Sequence, residues 1–171
     1  MNKTNKQVQT IVHPWTPVFN EHSRILILGT IPSPKSRENG FYYGHPQNLF
    51  WKILAEVLKK PSIPADIESK KKFLLDNHIA LWDVLYSCDI VGASDNSIKN
   101  AIANDFVPLL TQAPIKAIFT TGKTASKLYD EFCLPYTGFP SQYLPSTSPA
   151  NKAHYPYDKL LKHWQIITNF L

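Results

Sequence analysis

Arg24-Ile25-Leu26-Ile27-Leu28-Gly29 is a continuous apolar run closed by a glycine. A strand with one wet face alternates apolar and polar residues, whereas an unbroken run belongs to a strand covered on both faces, as in a parallel sheet. Residues 79–85 and 116–121 repeat the pattern, and residues 142–144 form a short fourth strand. Helical spacing fills the intervals. Residues 49–60 put Phe50, Ile53, Leu54, Val57 and Leu58 on one face, with Lys59 and Lys60 in the last turn before Pro61. Residues 66–77 form a second helix with an outer face at Lys70, Lys71 and Lys72. Residues 101–110 and 123–132 form two more, and residues 157–170 a last one that aligns Leu160, Leu161, Trp164 and Ile167. Residues 92–99 read as a polar loop. Strands separated by helices predict a three-layer α/β/α sandwich around a short parallel sheet of about four strands.

The 171 residues suit one domain, 1–171, with residues 1–20 as an N-terminal extension whose first ten residues read as a frayed end. A hydrophobic fraction of 43% and a charged fraction of 18% are those of a globular chain, and no apolar run is long enough to cross a membrane. Cys88 and Cys133 stand in no metal-ligand or disulfide spacing, which fits a reduced, cytoplasmic setting with no metal. Lys and Arg outnumber Asp and Glu by 18 to 13, for a formal charge of +5. A polyanionic partner is compatible with that excess but not implied by it.

In a parallel sheet, ligands bind beyond the carboxyl ends of the strands. There the chain runs through residues 30–48, 83–99, 121–123 and 145–151. The first of these, with Pro32, Pro34, Gly40, Gly44 and Pro46, is too long for an idle connection. It opens as Gly29-Thr30-Ile31-Pro32-Ser33, then carries Phe41-Tyr42-Tyr43, and ends in His45-Pro46-Gln47-Asn48-Leu49-Phe50-Trp51-Lys52 at the start of a helix. A second motif, Leu144-Pro145-Ser146-Thr147-Ser148-Pro149-Ala150-Asn151, precedes the last helix.

Together these motifs resemble the uracil-DNA glycosylase superfamily, most closely its deoxyinosine (hypoxanthine) branch, with the mismatch-specific uracil/thymine branch next. The resemblance runs from Arg24 to Trp164. It implies base-excision repair: hydrolysis of the N-glycosidic bond of a deaminated base in DNA, leaving an abasic site, by a monomer without cofactor or metal. Such chemistry develops negative charge on the departing base, and hydrogen-bond donors with a positioned water serve it. The base must first leave the helix for a pocket.

Carried onto this chain, the resemblance makes Asn48 the catalytic candidate, positioning water or bonding the base. An asparagine just before an amphipathic helix is equally a preferred N-cap. Tyr43 is the candidate stacking residue, Tyr42 a structural one. His45, Thr30, Ile31, Pro32, Ser33 and Thr121 complete the base pocket. Ser146, Thr147, Ser148, Pro149 and Asn151 would enter the minor groove, with Lys123 on a phosphate. Turns of Ser, Thr, Pro and Asn are common on any surface. Asp83, Asp95, Asn96 and Ser97 can reach the site or simply make turns. Lys35 and Arg37 can face the DNA backbone or merely solvent.

Two departures select among branches. Uracil-removing relatives carry Asn or Asp where this chain has Ile31, and a histidine where it has Leu144. Both point from uracil to hypoxanthine. No motif lysine is placed as a nucleophile, so strand cleavage through a Schiff base is not expected. The alternatives are a uracil/thymine mismatch glycosylase of the same fold and a DNA-binding module that has lost the chemistry, for which Ile31 is the motive.

Overall fold

The computed structural model describes residues 7–171. Four parallel strands, β2 (Ile25–Gly29), β3 (Ile79–Asp83), β6 (Ala117–Thr121) and β7 (Ser141–Leu144), form a sheet of order β3-β2-β6-β7. All five residues of β2 are buried, and its side chains alternate between two cores. Ile25 and Ile27 point into one with Phe50, Leu54, Leu74, Phe119 and Trp164. Leu26 and Leu28 point into the other with Leu85, Phe106, Ile118, Ala125 and Tyr129.

The first core is roofed by α2 (Phe50–Val57), α3 (Ile67–Asp76) and the last helix, Tyr157–Trp164. The expected last helix ends as an α-helix at Trp164 and continues as a 3-10 turn, Gln165–Phe170. Trp164 is buried and donates Nε1–H to the Pro145 carbonyl at 3.0 Å, which ties this helix to the last loop. The expected sandwich is present, since α4 (Val107–Gln112) and α5 (Lys123–Phe132) cover the opposite face.

A second sheet stands beside the first. β1 (Val8–Val12), β4 (Leu85–Val91) and β5 (Ser94–Ala103) pair antiparallel in the order β1-β4-β5 and share the second core. The expected loop at 92–99 and the start of the expected helix at 101–110 are therefore corrected to one ten-residue strand, with the helix delayed to Val107. Most β5 side chains are exposed or half-exposed, so the strand has no apolar alternation to betray it. Register shifts along β4 and β5 blur the pattern further. Of the expected frayed end, residues 1–6 lie outside the described residues, while β1 pairs Val8 through Val12 with Val91 through Ser87.

The long first loop also holds a short helix, α1 (Pro34–Asn39), capped by Ser33, whose Oγ accepts from the Ser36 amide. Ser36 Oγ in turn accepts from Gly44 N–H, and Asn39 Nδ2 donates to the Gly44 carbonyl. A β-carbon on Gly44 would stand 3.1 Å from that of Asn39. The loop is thus folded tightly onto itself, with α1 as its brace.

Candidate active site

A cavity of about 340 Å³ opens at the carboxyl ends of β2, β3 and β6. β2 and β6 are neighbours, and the chain leaves them in opposite directions, from β2 toward β3 and from β6 toward β7, which is where an open α/β sheet makes a crevice. Thr30, Ile31, Pro32, Ser33, Tyr43, His45 and Thr121, the seven expected base-pocket residues, all line it, as does Asn48.

Tyr43 is the best-defined wall. Its ring lies parallel to Phe50, centroids 3.9 Å apart and 7° between planes, so one face is covered and the other is left to the cavity. Thr121 Oγ1 donates to the Leu28 carbonyl at 3.2 Å, so the 3.2 Å contact between the two hydroxyls has the Tyr43 phenol as donor. Burial, followed by the nearby Asp83 charge, pushes this phenol well above its ordinary pKa and keeps it protonated. Tyr43 adopts φ +53°, unusual for a residue with a β-carbon. Tyr42, 2% exposed, also lines the cavity, and its carbonyl accepts the Trp51 indole N–H at 3.1 Å.

Asn48 Oδ1 accepts two hydrogen bonds, from Phe50 N–H at 2.9 Å and from Thr147 Oγ1 at 2.8 Å. The first satisfies a free amide at the start of α2, but the cap position itself is Leu49, so the expected N-cap is corrected by one residue. The second crosses from the first motif to the last loop. With both donors on Oδ1, the amide orientation is set and Nδ2 keeps two N–H groups for the cavity. His45 Nδ1 accepts from Gln47 N–H at 3.0 Å, so in the neutral ring Nε2 carries the hydrogen and is a second donor.

The late loop divides. Ser146, Ser148 and Pro149 line the cavity. Asn151 and Lys123 instead line a neighbouring groove with Tyr143, His154, Tyr155 and Lys159, joined to the cavity through Ser146. Thr147 belongs to neither: it is 2% exposed, its hydroxyl holds Asn48 and its carbonyl accepts the Leu49 amide at 3.1 Å. The expectation that it faces the DNA is corrected accordingly. Lys35 is paired with Glu38 at 3.1 Å on α1.

Asp83 and Asp95 also line the cavity. Asp83 sits at the end of β3, where the rule for parallel sheets directs attention. Asp95 arrives on β5, which sequence periodicity did not reveal. Gly29 is required beside Asp83, because a β-carbon there would stand 2.5 Å from Oδ1. His13, whose Nε2 lies 2.7 Å from Asp83 Oδ2, had no sequence signal at all.

Residues 16–171 match the family model described as the uracil DNA glycosylase superfamily. Two relatives, both named hypoxanthine DNA glycosylase, are similar in sequence. That of Methanosarcina barkeri (strain Fusaro) is 34% identical over 137 residues, which cover 80% of this chain and 85% of the relative. That of Methanosarcina acetivorans is 35% identical over 136 residues, 79% and 85% of the two chains. The solution NMR structure of a candidate uracil DNA glycosylase from Methanosarcina acetivorans superimposes with a TM-score of 0.78 at 30% identity, covering 94% of this chain and 96% of that one. With the family match running from residue 16 to residue 171, the chain belongs to the uracil DNA glycosylase superfamily.

Proposed function

We propose that the protein is a monofunctional DNA glycosylase that hydrolyses the N-glycosidic bond of a deaminated base, hypoxanthine foremost, and leaves an abasic site. The reading is supported by the two relatives named hypoxanthine DNA glycosylase and by Ile31, which stands in the cavity wall where uracil-removing relatives carry a polar residue. The observation that carries it is the Asn48 amide: its oxygen is satisfied by Phe50 and Thr147, and its N–H groups are left to the cavity.

In this mechanism the flipped base slides onto the free face of Tyr43. As the glycosidic bond lengthens, negative charge grows on the base, and Asn48 Nδ2–H and His45 Nε2–H donate toward it. Donors fixed before the reaction cost no reorganisation during it. Water takes the sugar carbon from the opposite side. Ser146, Ser148 and Pro149 fill the gap in the duplex, while Asn151 and Lys123 hold the strand alongside. Cys88 and Cys133, both free and buried, fit a monomer working in the reducing cytoplasm.

The test is single-turnover base release from oligonucleotides carrying hypoxanthine, uracil, xanthine or a G·T mismatch, read by alkaline cleavage, with thermal melting alongside. Hypoxanthine is released fastest, and Asn48→Ala slows release by about 10²–10³-fold, the cost of one transition-state donor. The same variant loses the side-chain bond to the Phe50 amide, worth about 1 kcal/mol, and stays folded. A folded wild type that binds DNA and releases none of the four bases overturns the proposal.

A further inference from the structure

We infer that Asp95, beside the turn that joins β4 to β5, holds the attacking water and takes its proton, a part of the proposed reaction that Asn48, His45 and Tyr43 leave unserved. The inference deepens the proposed function and rests on it. Hydrolysis needs donors for the charge that grows on the base. It also needs an acceptor for the proton that water gives up as its oxygen meets the sugar carbon. Five ionisable side chains line the cavity: Tyr42, Tyr43, His45, Asp83 and Asp95. Burial keeps both phenols protonated, so neither accepts a proton. The neutral His45 ring has its accepting nitrogen, Nδ1, taken by the Gln47 amide at 3.0 Å, and Nε2 carries a hydrogen. Asp83 is 4% exposed, and its Oδ2 is held by His13 at 2.7 Å. Among the described residues, Asp95 is the acceptor that remains.

Its placement suits that use. Tyr43 and Asn48 reach the cavity from the layer over the first core, both through Phe50: the ring of Tyr43 stacks on it, and Asn48 Oδ1 accepts its amide N–H. Asp95 arrives on β5, whose Ile98, Ala101 and Ala103 pack on the second core. The groups for the base and this carboxylate therefore approach from opposite faces of the parallel sheet. When a carboxylate base activates water at a sugar carbon, the water stands on the face away from the leaving group. Ile31 lines the same cavity and has no polar side-chain atom with which to hold that water.

Asp95 is an exposed residue and forms no ion pair among the described residues. Protein nevertheless crowds its carboxyl, and burial raises the pKa against a hydrogen bond from the Thr124 side chain that lowers it. A raised carboxyl is the better proton acceptor, and access to solvent lets it pass the proton on. In a cavity that receives a polyanion, a free carboxylate also repels the phosphates, a penalty that a neutral wall residue would avoid. In the step itself, the bond from sugar to base breaks with its electron pair going to the base, and the water oxygen bonds to the sugar carbon. One water proton passes to Asp95 and on to solvent, from which the departed base takes up a proton.

The experiment measures hypoxanthine release at saturating enzyme by wild type, Asp95→Asn and Asp95→Ala. Binding is read in parallel on an oligonucleotide carrying 2′-fluorodeoxyinosine, whose fluorine opposes positive charge on the sugar and so slows cleavage. Asp95→Asn keeps the shape of the side chain but not a proton acceptor, and release falls about 10²–10⁴-fold, the span of general-base assistance. Affinity for the fluorinated DNA holds or tightens, because one negative charge has left the DNA-facing wall. In Asp95→Ala, sodium formate supplies a small carboxylate and restores part of the rate in proportion to its concentration, whereas sodium chloride of equal strength does not. Formate and chloride are compared within one preparation, so the fraction folded cancels. Three results overturn the inference and leave the glycosylase standing: release by Asp95→Asn near the wild-type rate, a loss of release matched by a loss of affinity, or a formate effect no larger than that of chloride. If wild type releases no hypoxanthine at all, the proposed function falls and takes this inference with it.

Discussion

The two sheets of this molecule are built on opposite terms. β2, at the centre of the parallel sheet, is buried along its whole length and buries side chains into both cores. β5, at the edge of the antiparallel sheet, has no fully buried residue and is rich in Ser, Asp, Asn and Lys. The first is a strand because its side chains leave water, the second because its backbone completes a ladder with β4. A strand of the second kind owes its stability to its neighbour, and it can carry polar residues such as Asp95 to a site without breaking a core.

If that contrast is right, truncations in the two sheets should differ in size. Phe119→Ala, inside the parallel sheet and edge-on to Phe170 at 5.8 Å, costs about 3–5 kcal/mol in urea unfolding. Asn104 tests the seam. Its Nδ2 donates to the carbonyls of Asp83 at 2.9 Å and Leu85 at 3.0 Å, where the chain passes from one sheet to the other. Asn104→Ala orphans both carbonyls, and we expect about 2–3 kcal/mol with a loss of base release as Asp83 shifts. Ile11→Ala, in β1 and 7% exposed, costs about 2 kcal/mol, the low end for such truncations. A larger loss for Ile11 than for Phe119 would break the contrast.

The last effect is one of pH. Burial raises the thiols of Cys88, in β4, and Cys133, beyond α5, from an ordinary value of 9.0 to about 11. Because the folded state disfavours the thiolate, this contribution is fully present below pH 9 and lost as pH rises through about 11. The melting temperature of wild type should therefore fall more steeply over that window than that of Cys88→Ala or Cys133→Ala. A constant offset between the curves would show that burial does not perturb the thiols.

The same division governs what can be read without coordinates. Burial on both faces leaves a compositional mark, so β2, β3, β6 and the apolar stripe of α2 are legible, and with them the crevice. The pocket wall follows, because Tyr43, His45 and Asn48 sit in one contiguous stretch. Pairing leaves no such mark, so β1 and β5 are hidden, and His13 with them. Thr147 illustrates a subtler limit: a hydroxyl in a Ser-Thr-Pro turn reads as surface, and only the partner 99 positions earlier reveals that it faces inward. Asn48 holds a free amide at the start of α2 and faces the cavity at once, two uses that periodicity cannot separate because both need the same side chain at the same helix end.

The bond between Thr147 and Asn48 has a consequence for synthesis. Translation delivers the asparagine early and its partner ninety-nine positions later, so a nascent chain holds the first motif long before anything can fix its amide. A product cut short by a stalled ribosome or a premature stop, even with β2, β3 and β6 complete, has an unset asparagine and lacks the Ser146, Ser148 and Pro149 wall of the cavity. This contact makes completion of the chain a condition of assembling the site.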